Sequence, residues 1–300
     1  MNRIPALTLT DFYKTDHRRQ FPEGTTLVYS NFTPRGSRVD DVDAVVFFGL
    51  QYFIEEYLQR RFDETFFHLP ASQAVGAYRR RLDHALGAGA VPMDHVEALH
   101  ELGYLPLRIK ALPEGTRVPM QVPTHTIENT DPRFAWLTNF IETMMSAVVW
   151  GPCTSATIAN RYRRVFERWA AQTGAPREFV PWQGHDFSFR GMFGIEAACL
   201  SGAGHLLSFT GTDTIPAIDF LEQYYSADCS RETIGGSVPA TEHAVMCAGG
   251  MHDELETYRR LLTQVYPQGI VSVVSDTWDF WRVVTHTLPA LRAEIMARNG

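Results

Sequence analysis

Phe187, Arg190 and Asp213 bring three complementary chemistries into one short run of the chain, residues 181–214. An aromatic ring offers a flat face on which a planar ligand can stack. An arginine offers a rigid fork of donors for phosphate or carbonyl oxygens. An aspartate accepts hydrogen bonds, for instance from the NH2 of an amide. Taken singly, Phe187 reads as a core residue and Arg190 with Asp213 as a salt bridge. Taken together they read as a site, because the run has the pattern of strand, helix and strand. Strand ends are expected near residues 184–190 and 211–214, and ligands on such units collect at the carboxyl ends of the strands.

A second group is Gly235-Gly236-Ser237 followed by Thr241-Glu242-His243. The small residues allow an anion to approach the backbone closely. The helix expected to open at Thr241 adds a positive dipole end. His243 there reads as a phosphate contact, a proton carrier or a phosphoacceptor, or else as an exposed histidine beside a capping turn. A third group runs from an expected strand at 270–274 into Ser275, Asp276 and Asp279. It suits Mg2+-bound phosphates or ribose hydroxyls, or the capping of the next helix. Asp11, Tyr13 and Arg35 carry no mark of function in composition. The chain has no P-loop, no G-x-G-x-x-G after a strand, no H-E-x-x-H and no G-x-S-x-G. His185, His205, His243 and His252 lack metal-ligand spacing and read as core or surface residues.

The elements that must hold these groups fall into two styles. Up to about residue 150 the pattern gives helices at 10–20, 47–62, 71–87, 93–102 and 133–149. Strands are expected at 26–34, 105–112 and 116–121, the last two paired across the turn at Pro113-Glu114-Gly115. A further helix spans 154–172. From 178 onward short apolar strands at 178–183, 205–209 and 270–274 alternate with helices at 192–203, 214–225, 251–265 and 277–287. That alternation predicts parallel βα units. The expected division is therefore 1–150 and 151–300, with the βα units of the second part in a barrel or an open sheet; a closed eight-fold barrel needs about twice as many of them.

Composition narrows the class. With 300 residues, 45% apolar and 20% charged, the chain can bury a large core. A net charge of −7 argues against a general nucleic-acid binder. No apolar run predicts a signal peptide or a membrane span, so a cytoplasmic protein is expected. The four cysteines have no C-x-x-C spacing and read as buried thiols of a reducing compartment.

Five blocks, in order and spacing, resemble the nicotinamide phosphoribosyltransferase family. They are Thr10-Asp-Phe-Tyr-Lys14 with His17 and Phe21-Pro22, Gly184-His-Asp-Phe-Ser-Phe-Arg-Gly191, Gly211-Thr-Asp-Thr214, Ser237-Val-Pro-Ala-Thr-Glu-His243 and Val271-Ser-Val-Val-Ser-Asp276. The resemblance implies the type II phosphoribosyltransferase architecture, with an N-terminal α/β domain over 1–150 beside an incomplete β/α barrel over 151–300, and a homodimer with shared sites. It implies that nicotinamide and phosphoribosyl pyrophosphate form nicotinamide mononucleotide and pyrophosphate, with Mg2+ and with ATP as a stimulant. On the same grounds Phe187 stacks on the nicotinamide ring and Tyr13 of a second subunit covers its other face. Asp213 binds the carboxamide and disfavours nicotinate, Arg190 contacts the phosphoribosyl moiety, and Ser237 lines the substrate site. His243 becomes phosphorylated, Arg35 reaches a phosphate across the dimer, Asp11 supports the site from behind, and Asp279 joins the Mg2+–pyrophosphate region. The family's Arg-Pro-Asp-Ser-Gly run and Gly-rich loop for the 5′-phosphate have no match in this sequence. The chain is therefore expected to correspond to the N-terminal portion of such an enzyme, which a second chain carrying those loops could complete. Two readings stand beside it: nicotinate phosphoribosyltransferase, which Asp213 disfavours, and a half-enzyme that binds or dimerises without turnover. The flavodoxin-like phosphoribosyltransferases are disfavoured because the adjacent acidic pair and the following Thr-Gly loop are missing.

Overall fold

The apolar stretches collect around one long helix, Glu142–Thr173, which buries Val149, Cys153 and Ala156. This helix is the spine of the larger of two units in the computed structural model, which describes residues 4–298. The larger unit runs up to Gly235 and the smaller begins at Gly236. The expected boundary at 150 therefore falls inside the spine helix.

Among its described residues the larger unit holds three small sheets. Strands β1 (Tyr29–Phe32), β3 (Leu107–Ala111) and β5 (His125–Asn129) form an antiparallel sheet in the order β1-β5-β3. Strands β2 (Ala44–Val46) and β4 (Arg117–Pro119) pair antiparallel. Strands β6 (His185–Asp186) and β7 (Gly211–Thr212) pair parallel, with His185 opposite Gly211 and Asp186 opposite Thr212. The core is rich in aromatic side chains: Phe47, Phe53, Phe62, Phe66 and Phe134 are buried with Leu137 and Ile141. Each contributes on the order of 2–3 kcal/mol by leaving water. Helix Ile195–Leu206, which joins β6 to β7, lies against the spine so closely that a Cβ on Gly204 would come 2.9 Å from the Pro152 carbonyl oxygen. Only glycine allows that backbone approach.

The smaller unit packs helices His243–Gly249 and Glu254–Arg260 with the helical turns from Phe280 to Met296. Met246, Tyr258, Leu261, Val283 and Leu291 form its core.

Helices at 71–86, 94–102 and 215–225 lie where the periodicity places them. Several expected elements differ. The helix expected at 10–20 does not form: the Thr10 hydroxyl donates to the Phe140 carbonyl, and 3-10 turns over Phe12–Asp16 precede a single turn at His17–Gln20. The helices expected at 133–149 and 154–172 are replaced by a short Leu137–Phe140 helix and the continuous Glu142–Thr173 helix, which runs through Gly151-Pro152. Burial of Pro152 and its neighbours outweighs the lost backbone hydrogen bond. The 105–112 and 116–121 strands do not pair with each other: β3 takes β5 and β4 takes β2. The segment expected as a strand at 178–183 is helical over Arg177–Phe179 and Val180–Gln183, with Pro181 near the helix start, where its missing N–H costs nothing. His205 and Leu206 belong to the preceding helix, not to a strand at 205–209. The 270–274 strand is reduced to one parallel bridge between Ala240 and Ser272.

Candidate functional site

The parallel pair β6–β7 sets Phe187 and Asp213 side by side, each one residue beyond its strand. The backbone N–H of Asp213 donates to the Asp186 carbonyl at 2.9 Å, which extends the pairing by one step. Phe187, Arg190 and Asp213 then line one cleft of about 520 Å³, whose floor includes Thr214 and the Gly194-Ile195 start of the connecting helix. The Phe187 ring is 64% exposed, so burial does not hold it. It leans on the His185 imidazole at a centroid distance of 4.6 Å. His185 in turn bonds Asp213, Nε2 to Oδ1, at 2.8 Å. Ring, imidazole and carboxylate thus form a chain along one wall. Arg190 is exposed on the turn Phe189–Gly191 at the same cleft. Phe187 and Met192 also line a larger apolar cavity of about 810 Å³, walled by Trp150, Ile158 and Tyr162 of the spine helix.

Below the cleft lies a buried polar layer. The Asp186 carboxylate accepts from the Ser188 N–H at 3.0 Å and from the Thr214 hydroxyl at 2.5 Å. Its burial acts to raise the pKa, but the hydrogen bonds from Thr214 and Ser188 outweigh that and hold it below the usual carboxylate range. His205 Nε2 lies 3.2 Å from the Gly184 carbonyl and 3.1 Å from that of Gly211, and so joins the two strands. Burial lowers its pKa, against the opposing influence of Asp186.

Tyr13, Asp11 and Arg35 belong to the same unit but do not line this cleft. The segment carrying Tyr13 is pinned to the first turn of the spine helix. Buried Lys14 pairs with Glu142 at 2.5 Å, and Asp11 accepts from the Thr143 hydroxyl. This anchoring leaves the Tyr13 ring outward, 64% exposed, with its edge on His17. Arg35 is exposed on the loop after β1.

His243, Ser237 and Asp279 lie in the second unit. His243 opens its short helix and bonds Asp276, Nε2 to Oδ1, at 3.0 Å, with side chains 62% and 67% exposed. Ser237 is exposed on the preceding loop. Asp279 caps the helix at Phe280, accepting from the Arg282 N–H at 3.0 Å. Among the described residues no group of three or more His, Cys, Asp or Glu side chains could hold a metal ion. His185, expected as a core or surface residue, and Asp186, with no mark of its own in the sequence, both belong to this site. The signal for both was their place inside the 184–191 block, beside Phe187.

Residues 6–63 match the family model described as nicotinamide phosphoribosyltransferase, N-terminal domain, and residues 182–300 match the nicotinate phosphoribosyltransferase (NAPRTase) family. A nicotinamide phosphoribosyltransferase of Acinetobacter baylyi is 55% identical over an alignment that covers 99% of this chain. This chain is similar to nicotinamide phosphoribosyltransferases along its whole length. A second relative of that name, from Xanthomonas campestris pv. campestris, is 34% identical over 97% of the chain. The chain spans 59% of the length of each of these two relatives. Among solved structures, a nicotinate-nucleotide pyrophosphorylase from Pyrococcus furiosus aligns with a TM-score of 0.59 at 14% identity, over 99% of this chain and 58% of its own. The human nicotinic acid phosphoribosyltransferase aligns with a TM-score of 0.51 at 16% identity, over 80% of this chain and 40% of its own. The fold is that of the type II phosphoribosyltransferases.

Proposed function

We propose that this chain carries the base-binding part of a nicotinamide phosphoribosyltransferase, which forms nicotinamide mononucleotide and pyrophosphate from nicotinamide and phosphoribosyl pyrophosphate. The observation that carries the reading is the convergence of Phe187, Arg190 and Asp213 on one cleft. The pyridine ring stacks on Phe187 and its carboxamide NH2 donates to Asp213. The ring nitrogen then attacks ribose C1 as the C1–O bond to pyrophosphate breaks. Stacking fixes the direction of attack, and Arg190 stabilises the departing negative charge. Nicotinate places a carboxylate against Asp213. At about 4 Å that repulsion approaches 4 kcal/mol in a partly screened site, and the exposure of Asp213 cuts it to roughly 1–2 kcal/mol.

The proposal extends to a homodimer. Tyr13 is exposed and does not line its own cleft, which supports a role in covering the Phe187 site of a second copy. Mg2+ arrives with the pyrophosphate group of the substrate, since it favours phosphate oxygens with few protein ligands. ATP acts through His243: Asp276 accepts the proton of Nε2, which leaves Nδ1 as the nucleophile for a γ-phosphate, with ADP leaving. All four cysteines are free thiols, which supports a reducing, cytoplasmic setting, although Cys229 and Cys247 are exposed where buried thiols were expected.

The test is nicotinamide mononucleotide formation by the purified chain with phosphoribosyl pyrophosphate and Mg2+, with nicotinamide and nicotinate in competition. Turnover that prefers nicotinamide supports the reading. A preference for nicotinate contradicts it. Nicotinamide binding without turnover would identify a half-enzyme that a second chain completes.

A further inference from the structure

We propose that Asp186 is the positioning residue that sets Phe187 and Asp213 against each other, an inference that rests on the base-binding reading above. Both site residues are solvent-facing: Phe187 is 64% exposed and the Asp213 side chain 44%. Burial holds neither side chain, and the His185 imidazole that touches both is itself partly exposed, so their separation also depends on the backbone that carries them. Asp186 is 6% exposed, directly precedes Phe187, and hydrogen-bonds the residue after Phe187 and the residues on both sides of Asp213. Phe187 lies between Asp186 and Ser188, and the Ser188 N–H donates to Asp186 Oδ1 at 3.0 Å. Asp213 lies between Thr212 and Thr214, whose hydroxyls donate to Asp186 Oδ2 at 3.3 and 2.5 Å. The Asp213 N–H donates to the Asp186 carbonyl at 2.9 Å. The Thr214 N–H donates to Thr212 Oγ1 at 3.0 Å, which closes the turn around Asp213.

The space for this carboxylate is built into the connecting helix. A Cβ on Gly202 would stand 3.2 Å from Asp186 Oδ2 and 2.7 Å from the Ala217 Cβ. Ser188 continues the layer, with its hydroxyl 3.2 Å from that of Ser201. A carboxylate of aspartate length, receiving donors from both strand ends, ties the two loops together more firmly than the two-residue ladder between them could. The role is to hold geometry, and Asp186 acts on the ligand only through Phe187 and Asp213.

The test uses Asp186→Asn, Thr214→Val and Thr214→Ser in the full chain, with three readouts: thermal melting, amide exchange at Ser188 and Asp213, and nicotinamide affinity by titration calorimetry. Asp186→Asn should keep a cooperative melt, speed Ser188 exchange and weaken nicotinamide binding about tenfold or more. Thr214→Val should weaken binding by several-fold, Thr214→Ser should restore it, and Asp186→Asn with Thr214→Val together should be little worse than Asp186→Asn alone. Wild-type affinity and wild-type Ser188 exchange in Asp186→Asn would overturn the proposal, as would a Thr214→Ser variant as weak as Thr214→Val. If Asp186→Asn does not fold, the Thr214 pair decides. If the wild type itself binds no nicotinamide while exchange at Ser188 and Asp213 still responds to Asp186→Asn, the functional reading fails and the positioning role stands.

Discussion

The two units present their polar side chains in opposite ways. In the larger unit the exposed Phe187 and Asp213 rest on a buried layer of Asp186, Thr212 and Thr214, with half-buried His205 joining the two strands. In the smaller unit His243 and Asp276 hold each other at the surface, each more than half exposed. The contrast follows the chemistry proposed for each. A stacking ring and a carboxylate that choose between two bases must keep a fixed separation, and that requires support from below. A histidine that accepts a phosphoryl group must be reached by a nucleotide and needs only its tautomer set, for which one exposed carboxylate suffices.

Acid should break this comparison most strongly. His95 and His125 are buried in the larger unit, and burial pulls both down to about 4 from 6.5. Between those values the unfolded chain binds more protons than the folded one, so stability falls as pH drops from 6.5 towards 4. Each histidine contributes on the order of 3 kcal/mol to that loss. In the smaller unit burial raises the pKa of Glu254. A raised carboxylate pKa gives stability at low pH that is lost as pH rises, the opposite sign. Segment-resolved hydrogen exchange at pH 7 and pH 4.5 should show the larger unit loosening first. His95→Gln with His125→Gln should flatten that limb, and a larger unit unmoved by acid would contradict the assignment.

The next largest effect is on stability by substitution. Asp186→Ala strands the Thr214 hydroxyl and the Ser188 N–H and should cost about 2–4 kcal/mol in urea denaturation. His243→Ala removes an exposed pair and should change stability by no more than about 0.5 kcal/mol, while abolishing any ATP stimulation of turnover. Equal costs for the two would remove the distinction between a supported and an unsupported site.

The smallest expected effect is on selectivity. Asp213→Ser takes away the charge that opposes nicotinate and should narrow the nicotinamide preference about tenfold in a base-competition assay. An unaltered ratio would mean that another residue makes the choice.

The site was more legible in the sequence than the fold that supports it. Phe187, Arg190 and Asp213 announce themselves by residue type, and they do share a cleft. The strand ends that hold them were placed correctly at 184–190 and 211–214, but the path between was not: His205 and Leu206 continue a helix, which leaves β7 only Gly211 and Thr212. Local signals also misled at Pro113–Gly115, where a good turn joins strands that pair elsewhere, because β5 and β2 compete for them. The spine helix passes Pro152 because tertiary burial outweighs a local penalty, which no window of sequence reports. Asp186 was in plain view inside its block. Its role depends on Thr212 and Thr214, more than 25 residues away along the chain.

The central claim is that the cleft at Phe187 and Asp213 is a nicotinamide site, and calorimetric titration of nicotinamide into the chain, wild type beside Phe187→Ala, tests it most directly. The account predicts saturable binding to the wild type, about ten- to hundredfold weaker in Phe187→Ala, because a stacking face is lost from a residue whose exposure leaves the fold intact. Absence of binding to the wild type, or equal affinity in the two proteins, would contradict it.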